Sequence, residues 1–146
     1  MKRFVYADNA ATTAPSREVI EAMSPAFLDA WGNPSSLHTK GREAKKLLDG
    51  ARESIAKSFN CLSGEIYFTS CGTESDNWAI KGAAQRGLLR GRNRIVTSKI
   101  EHHAVLHTCE ALEKQGFEVI YVGTDEYGVV DLEELAAAVN DKTAVV

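Results

Sequence analysis

Ile66-Tyr67-Phe68-Thr69-Ser70-Cys71-Gly72-Thr73-Glu74-Ser75-Asp76-Asn77-Trp78-Ala79-Ile80 is the stretch on which the reading of the chain turns. It begins with a short apolar run of the kind that makes a buried strand. Ser70-Cys71-Gly72-Thr73 is a tight turn of small residues, and the Glu, Ser, Asp and Asn that follow open an amphipathic helix. A helix entered in this way leaves its first N–H groups without partners, at the positive end of the macrodipole. Such an end attracts anions. Gly72 lets the backbone come close to a phosphate, and the Thr73 hydroxyl adds a donor. The same residues also make a plain strand–turn–helix joint with Thr73 as N-cap, and one glycine does not separate the two readings.

Composition narrows the field. The chain has 146 residues, 44% hydrophobic and 25% charged, which suits one soluble domain with a core. A formal net charge of −3 without a basic stripe gives nucleic acid no electrostatic footing. Asp8 arrives too early for a signal-peptide apolar region, and no apolar run reaches membrane-spanning length. Cys61, Cys71 and Cys109 are an odd count at scattered spacing with no Cys-x-x-Cys pair. That pattern points to a reducing compartment, with neither a disulfide framework nor a zinc site. The expectation is a cytoplasmic α/β protein with no membrane or nucleic-acid partner.

Periodicity supplies the elements. Ala7 to Pro15 is small, polar and turn-like; Ser16 caps a helix of about four turns, with Val19, Ile20, Met23, Phe27 and Leu28 on one face and Pro25 kinking or ending it. Trp31 to His38 is a loop. Thr39 to Phe59 is a long amphipathic helix with Ala44, Leu47, Leu48, Ala51, Ile55 and Phe59 inward and a solvated charged face. Beyond the central stretch come a strand at Ile95–Thr97, a helix from Glu101 to Gln115 closed by Gly116, and a strand at Phe117–Val122. Asp125–Gly128 is a turn, Asp131–Glu134 has capping-box spacing for a helix through Val139, and a further strand starts at Thr143. Strands alternating with helices predict a parallel sheet covered on both faces and joined by right-handed crossovers. Ligands of such sheets sit beyond the carboxyl ends of the strands, where Ser70–Thr73 and Ser98–His103 both fall.

Few side chains there carry chemistry. His102 and His103 follow a strand end, where a histidine can stack on a planar cofactor or move protons; they equally make a pair of surface histidines in a first helical turn. His103 and His107 are four apart and share a helix face, but no His-Glu-x-x-His and no third ligand accompanies them, so no metal is expected. Cys71 stands at a helix N-terminus, where a thiol pKa falls, or serves as a small buried filler. Cys109, Trp31 and Trp78 read as packing residues.

Taken together, Asp8-Asn9-Ala10-Ala11-Thr12-Thr13, Gly32-Asn33-Pro34-Ser35-Ser36-Leu37-His38, Phe68 to Asn77, and Thr97-Ser98-Lys99-Ile100-Glu101-His102 occur in the order and spacing of one family. The chain resembles the amino-terminal part of a cysteine desulfurase, of the class-V aminotransferase-like group of pyridoxal phosphate (PLP) enzymes. The resemblance implies the large domain of a PLP-dependent transferase of fold type I: three layers, α/β/α, on a mainly parallel sheet, truncated. Residues 1–15 would be a segment near the active site, and 16–146 the N-terminal helices and first part of the PLP-binding domain. It implies removal of sulfur from L-cysteine, giving L-alanine and an enzyme persulfide that feeds iron–sulfur cluster assembly or thiolation. Gly72 and Thr73 match the family's phosphate-binding turn, and His102 the histidine that stacks on the pyridine ring and assists proton transfer. A homodimer and a sulfur-acceptor or scaffold protein are the implied partners. Cys71 stands where many members have glycine. The chain is short of half a family chain, and none of its lysines or cysteines matches the Schiff-base lysine or the sulfur-accepting cysteine, so these 146 residues alone are expected to be inactive. Other readings are a selenocysteine lyase or another class-V lyase, and a non-catalytic protein that binds or dimerises through its sheet edges.

Overall fold

The computed structural model describes residues 3–146, so the first two residues of the expected 1–15 segment lie outside it. The chain divides into two compact units, Met1–Tyr67 and Phe68–Val146.

In the first unit the Ala11 amide donates to Asp8 O at 3.1 Å, making the turn that the small polar residues predict. Helix α1 (Arg17–Leu28) starts at Ser16, whose Oγ accepts from Val19 N at 3.4 Å. Pro25 neither ends nor interrupts it: the amides of Asp29 and Ala30 both reach Pro25 O, and the ring removes only the donor that Glu21 O would have taken. Helix α2 (Thr39–Phe59) has the predicted bounds and stops at Asn60, which is left-handed at φ 53°. His38, read as a loop residue, is its N-cap, with Nδ1 accepting from Gly41 N at 3.3 Å. A short 3₁₀ turn at Ser63–Glu65 follows. The amphipathic readings are borne out as helices but only partly as burial. Ala44 and Ala56 are buried, while Val19, Ile20, Met23, Phe27, Leu28 and Trp31 remain exposed. A 3.6-residue period makes one face apolar without supplying the surface that covers it.

The second unit runs α3 (Gly72–Leu88), β1 (Arg94–Ser98), α4 (His103–Glu113), β2 (Glu118–Val122), α5 (Leu132–Ala138) and β3 (Thr143–Val145). The sheet order is β2-β1-β3 and both pairings are parallel, with Ile95 beside Val119 and Val145. Alternation along β1 sends Ile95 to one face, onto Ala84 of α3 and Cys109 and Leu112 of α4. Val96 goes to the other, with Val122 and Ala138 of α5. The unit is thus the expected α/β/α sandwich. Glycines with positive φ follow α3 and α4 (Gly91, φ 74°; Gly116, φ 94°). Asp131 Oδ1 caps α5 by accepting from the amides of Glu133 (2.9 Å) and Glu134 (3.0 Å). The predicted capping box closes differently: Glu134 Oε2 accepts from Gly123 N at 2.6 Å, fastening the helix to the end of β2.

The apolar run 66–68 is the main departure. Ile66 is extended (φ −98°, ψ 122°), yet the segment forms no strand, and Tyr67 is 67% exposed. Apolar extended residues become a strand only where a neighbouring strand completes a ladder. Trp78, another expected packing residue, is 56% exposed.

One close approach sets how α3 lies on the sheet. A Cβ built on Gly87 would collide with Ala144 Cβ and come within 3.1 Å of Ala144 Cα. Gly87→Ala should therefore lower stability by about 1–3 kcal/mol in urea titration through overpacking. Gly82→Ala, on the same helix, meets no heavy atom within 4 Å and should raise stability by about 0.5–1 kcal/mol. Equal effects at both glycines would overturn this account.

Candidate active site

Two joints at one end of the second unit carry the residues singled out above. At the first, Cys71, not Thr73, is the N-cap of α3, and Gly72 is its first helical residue. Glu74 folds back over the turn: its Oε2 accepts from Ser70 N and from Ser70 Oγ, both at 2.7 Å. Those two donors hold its carboxyl below the usual range. Thr69 Oγ1 donates to Cys71 O at 3.1 Å and lies 2.6 Å from Ser75 Oγ. The turn is thereby stiffened by polar side chains and not by packing.

Cys71 is exposed, contrary to the buried-filler reading, and no apolar cluster includes it. The Glu74 amide, then the Ser70 hydroxyl, and more weakly the Thr73 amide, lower its thiol pKa, against the opposing charge of Glu74. Backbone amides that favour a thiolate are amides that favour an anion. Beside them Gly72 leaves open space: a Cβ there would meet no heavy atom within 4 Å. An open, donor-lined helix end of this kind fits a phosphate group such as that of PLP.

At the second joint β1 passes into α4 through four residues, and His102 is the N-cap. Its Nδ1 accepts from Ala104 N at 3.0 Å, which makes Nε2 the protonated ring nitrogen of the neutral form. His103 and His107 stack with ring centroids 5.2 Å apart and 25° between planes, sharing a face as their spacing predicts. Among the described residues no group of three His, Cys, Asp or Glu side chains is placed to hold a metal ion.

The two joints meet. Thr73 and His102 line one cleft of about 260 Å³, together with Asn77, Lys81, His103 and His107. Gly72 is not among its lining residues. Asn77 and Lys81 were not singled out from sequence, although they follow Thr73 at four-residue steps and so fall on the same helix face. Asn77 Nδ2 also donates to Thr73 O at 2.9 Å. The lining carries no carboxylate, so the cleft presents donors and titratable nitrogens to whatever enters. Cys109, by contrast, is 1% exposed in the core, and burial pushes its thiol pKa up.

The aminotransferase class-V family model matches residues 5–146, and the chain belongs to that family. It is 51% identical over 142 residues to cysteine desulfurase IscS of Methanosarcina thermophila, covering 97% of this chain and 35% of that one. It is 50% identical to cysteine desulfurase IscS of Dictyoglomus turgidum, covering 100% and 37%. The fold matches a solved NifS-like protein at a TM-score of 0.86 and 44% identity, over 92% of this chain and 37% of that one. It also matches DndA from Streptomyces lividans at 0.79 and 36%, over 95% and 39%. The fold is therefore that of the fold type I large domain in its first part. The chain spans little more than a third of the length of these relatives.

The thiol environments predict an order of alkylation. Iodoacetamide on the native chain, read by peptide mass spectrometry, should modify Cys71 first and Cys109 last; the reverse order would contradict the placement of both. The Glu74 tie predicts a pH effect of definite sign. A depressed carboxyl gives its stabilisation above its ordinary value of 4.5 and loses it as pH falls through the folded value. Ser70 amide exchange, followed by NMR and corrected for the intrinsic rate, should lose protection on acidification below that range, and Glu74→Gln should lose it already at neutral pH.

Proposed function

We propose that this chain belongs to a PLP-dependent cysteine desulfurase, taking sulfur from L-cysteine to leave L-alanine and a persulfide on an enzyme cysteine. The observation that carries the reading is the convergence of Thr73 and His102 on one cleft from the N-terminal ends of two helices, α3 and α4. The names of the relatives support the substrate. In this reading Gly72, Thr73 and the first amides of α3 hold the cofactor phosphate, while His102 lies against the pyridine ring and moves a proton through Nε2. The bound cofactor supplies the electron sink; the residues of this chain anchor, orient and protonate.

Sulfur passes on to an acceptor or scaffold protein for iron–sulfur cluster assembly or thiolation, and the working enzyme is a cytoplasmic homodimer. No helix among the described residues is long and apolar enough to cross a membrane.

The test uses the full-length protein. Thr73→Val, which removes a donor and keeps the shape, should weaken PLP retention about tenfold, the scale of one hydrogen bond to a charged group. His102→Ala should shift the visible absorption of the bound cofactor and slow turnover by about 10²-fold, within the range of a lost acid–base group. His103→Ala should do much less. Equal effects of the two histidine variants would sink the assignment of His102.

A further inference from the structure

The residue before His102 makes a bond that the proposed function does not use. Ser98 ends β1 and is 7% exposed, and its hydroxyl donates to Glu101 Oε1 at 2.9 Å. This bond bridges the turn that delivers His102. One residue into the turn, Lys99 N still donates to Val122 O at 3.0 Å, so the turn's entry is fixed to β2. At its exit His102 O accepts from Val105 N (2.8 Å) and Leu106 N (3.2 Å), and the ring Nδ1 takes the Ala104 amide. Between these anchors the direction of the ring is set by residues 99–102, and the Ser98–Glu101 bond is the side-chain tie across them.

We propose that Glu101 is a positioning residue for His102: by accepting the Ser98 hydroxyl it holds the ring with Nδ1 on the Ala104 amide and Nε2–H toward the cleft. The inference rests on the reading of His102 as the proton-moving ring. Its physical basis is the tie itself, which holds the turn only while both partners are present: Ser98→Ala releases the Glu101 carboxylate, and loss of Glu101 releases the Ser98 hydroxyl. Without Glu101 the Ser98 Oγ–H must find another acceptor, and the nearest supply is the turn itself. Re-forming that turn competes with the histidine cap. Once the Nδ1 bond is lost, either ring nitrogen can carry the proton, and the Nε2–H form is no longer enforced.

Glutamine keeps a carbonyl oxygen at the same place and alanine does not, so the pair of variants separates acceptor from shape. In the full chain, nitrogen NMR of labelled histidines should show His102 with an unprotonated Nδ1. Glu101→Ala should give a mixture of tautomers, Ser98→Ala should do the same from the donor side, and Glu101→Gln should keep the parent pattern. In the PLP-loaded full-length protein, Glu101→Ala should lower kcat about tenfold with KM nearly unchanged, within what a small misplacement of a reacting group costs. Glu101→Gln should restore most of the loss. Ser98→Ala added to Glu101→Ala should do little more, as for two partners of one bond. A parent tautomer pattern in both Glu101→Ala and Ser98→Ala overturns the proposal, as does a Glu101→Gln variant no better than Glu101→Ala. Failure of the functional reading looks different: His102→Ala itself would then leave the cofactor absorption unmoved, whatever the tautomers do.

Discussion

Strand β1 is bonded on both edges and covered on both faces, and everything else in the second unit is placed by that fact. Its ladder to β2 runs from Arg94 to Ser98, and its ladder to β3 covers Arg94 and Ile95, occupying backbone groups that a lone strand would leave open. Ile95 and Val96 are almost fully buried on opposite sides, each worth about 1.5–3 kcal/mol of burial. Helices α3 and α4 on one side and α5 on the other thus answer to adjacent residues of a single strand. The same rigidity makes the end of β1 a firm platform for the turn that presents His102.

The site uses a different kind of force. No hydrophobic cluster holds the joint before α3; hydroxyls, amides and one carboxylate do. Polar fastening keeps the first helical amides at the surface, where a charged ligand can reach them, at the cost of leaving Cys71 and Trp78 exposed. The cleft that results brings Thr73 and His102 together although they are far apart in sequence, and the packing of α3 against α4 is what shortens that separation.

Much of this is legible in the sequence itself. The bounds of α2, the cap at Ser16, the glycine after α4 and the alternation of strands with helices all follow from local spacing, because each is decided by residues a few places apart. What escaped was decided by partners at a distance. Ile66–Phe68 has the composition of a strand, and Ile66 an extended backbone, but the segment lacks a ladder, and nothing within three residues specifies one. Pro25 does not end its helix because its cost there is one donor, which a helix near its end tolerates. His38 and His102 both turned out to be helix caps. An imidazole is not among the favoured capping side chains, so their local signal pointed to chemistry or to loops. At His102 the cap occupies Nδ1 alone and leaves Nε2 for the proposed chemistry.

Arg94 shows how the opposite rim of the sheet is built. Its guanidinium grips both carboxylate oxygens of Glu118 (2.8 and 2.9 Å) and donates to Ala138 O at 3.0 Å, gathering β1, β2 and the end of α5 at one point. That fork sits at the start of β1, and the site at its finish. The unit therefore resembles a hand clasped at the wrist: its layers are locked together at the end away from the cleft, and the fingertips are left to be reshaped one bond at a time. Substitutions near the fork would register as changes in melting, and those near the cleft as changes in what is bound.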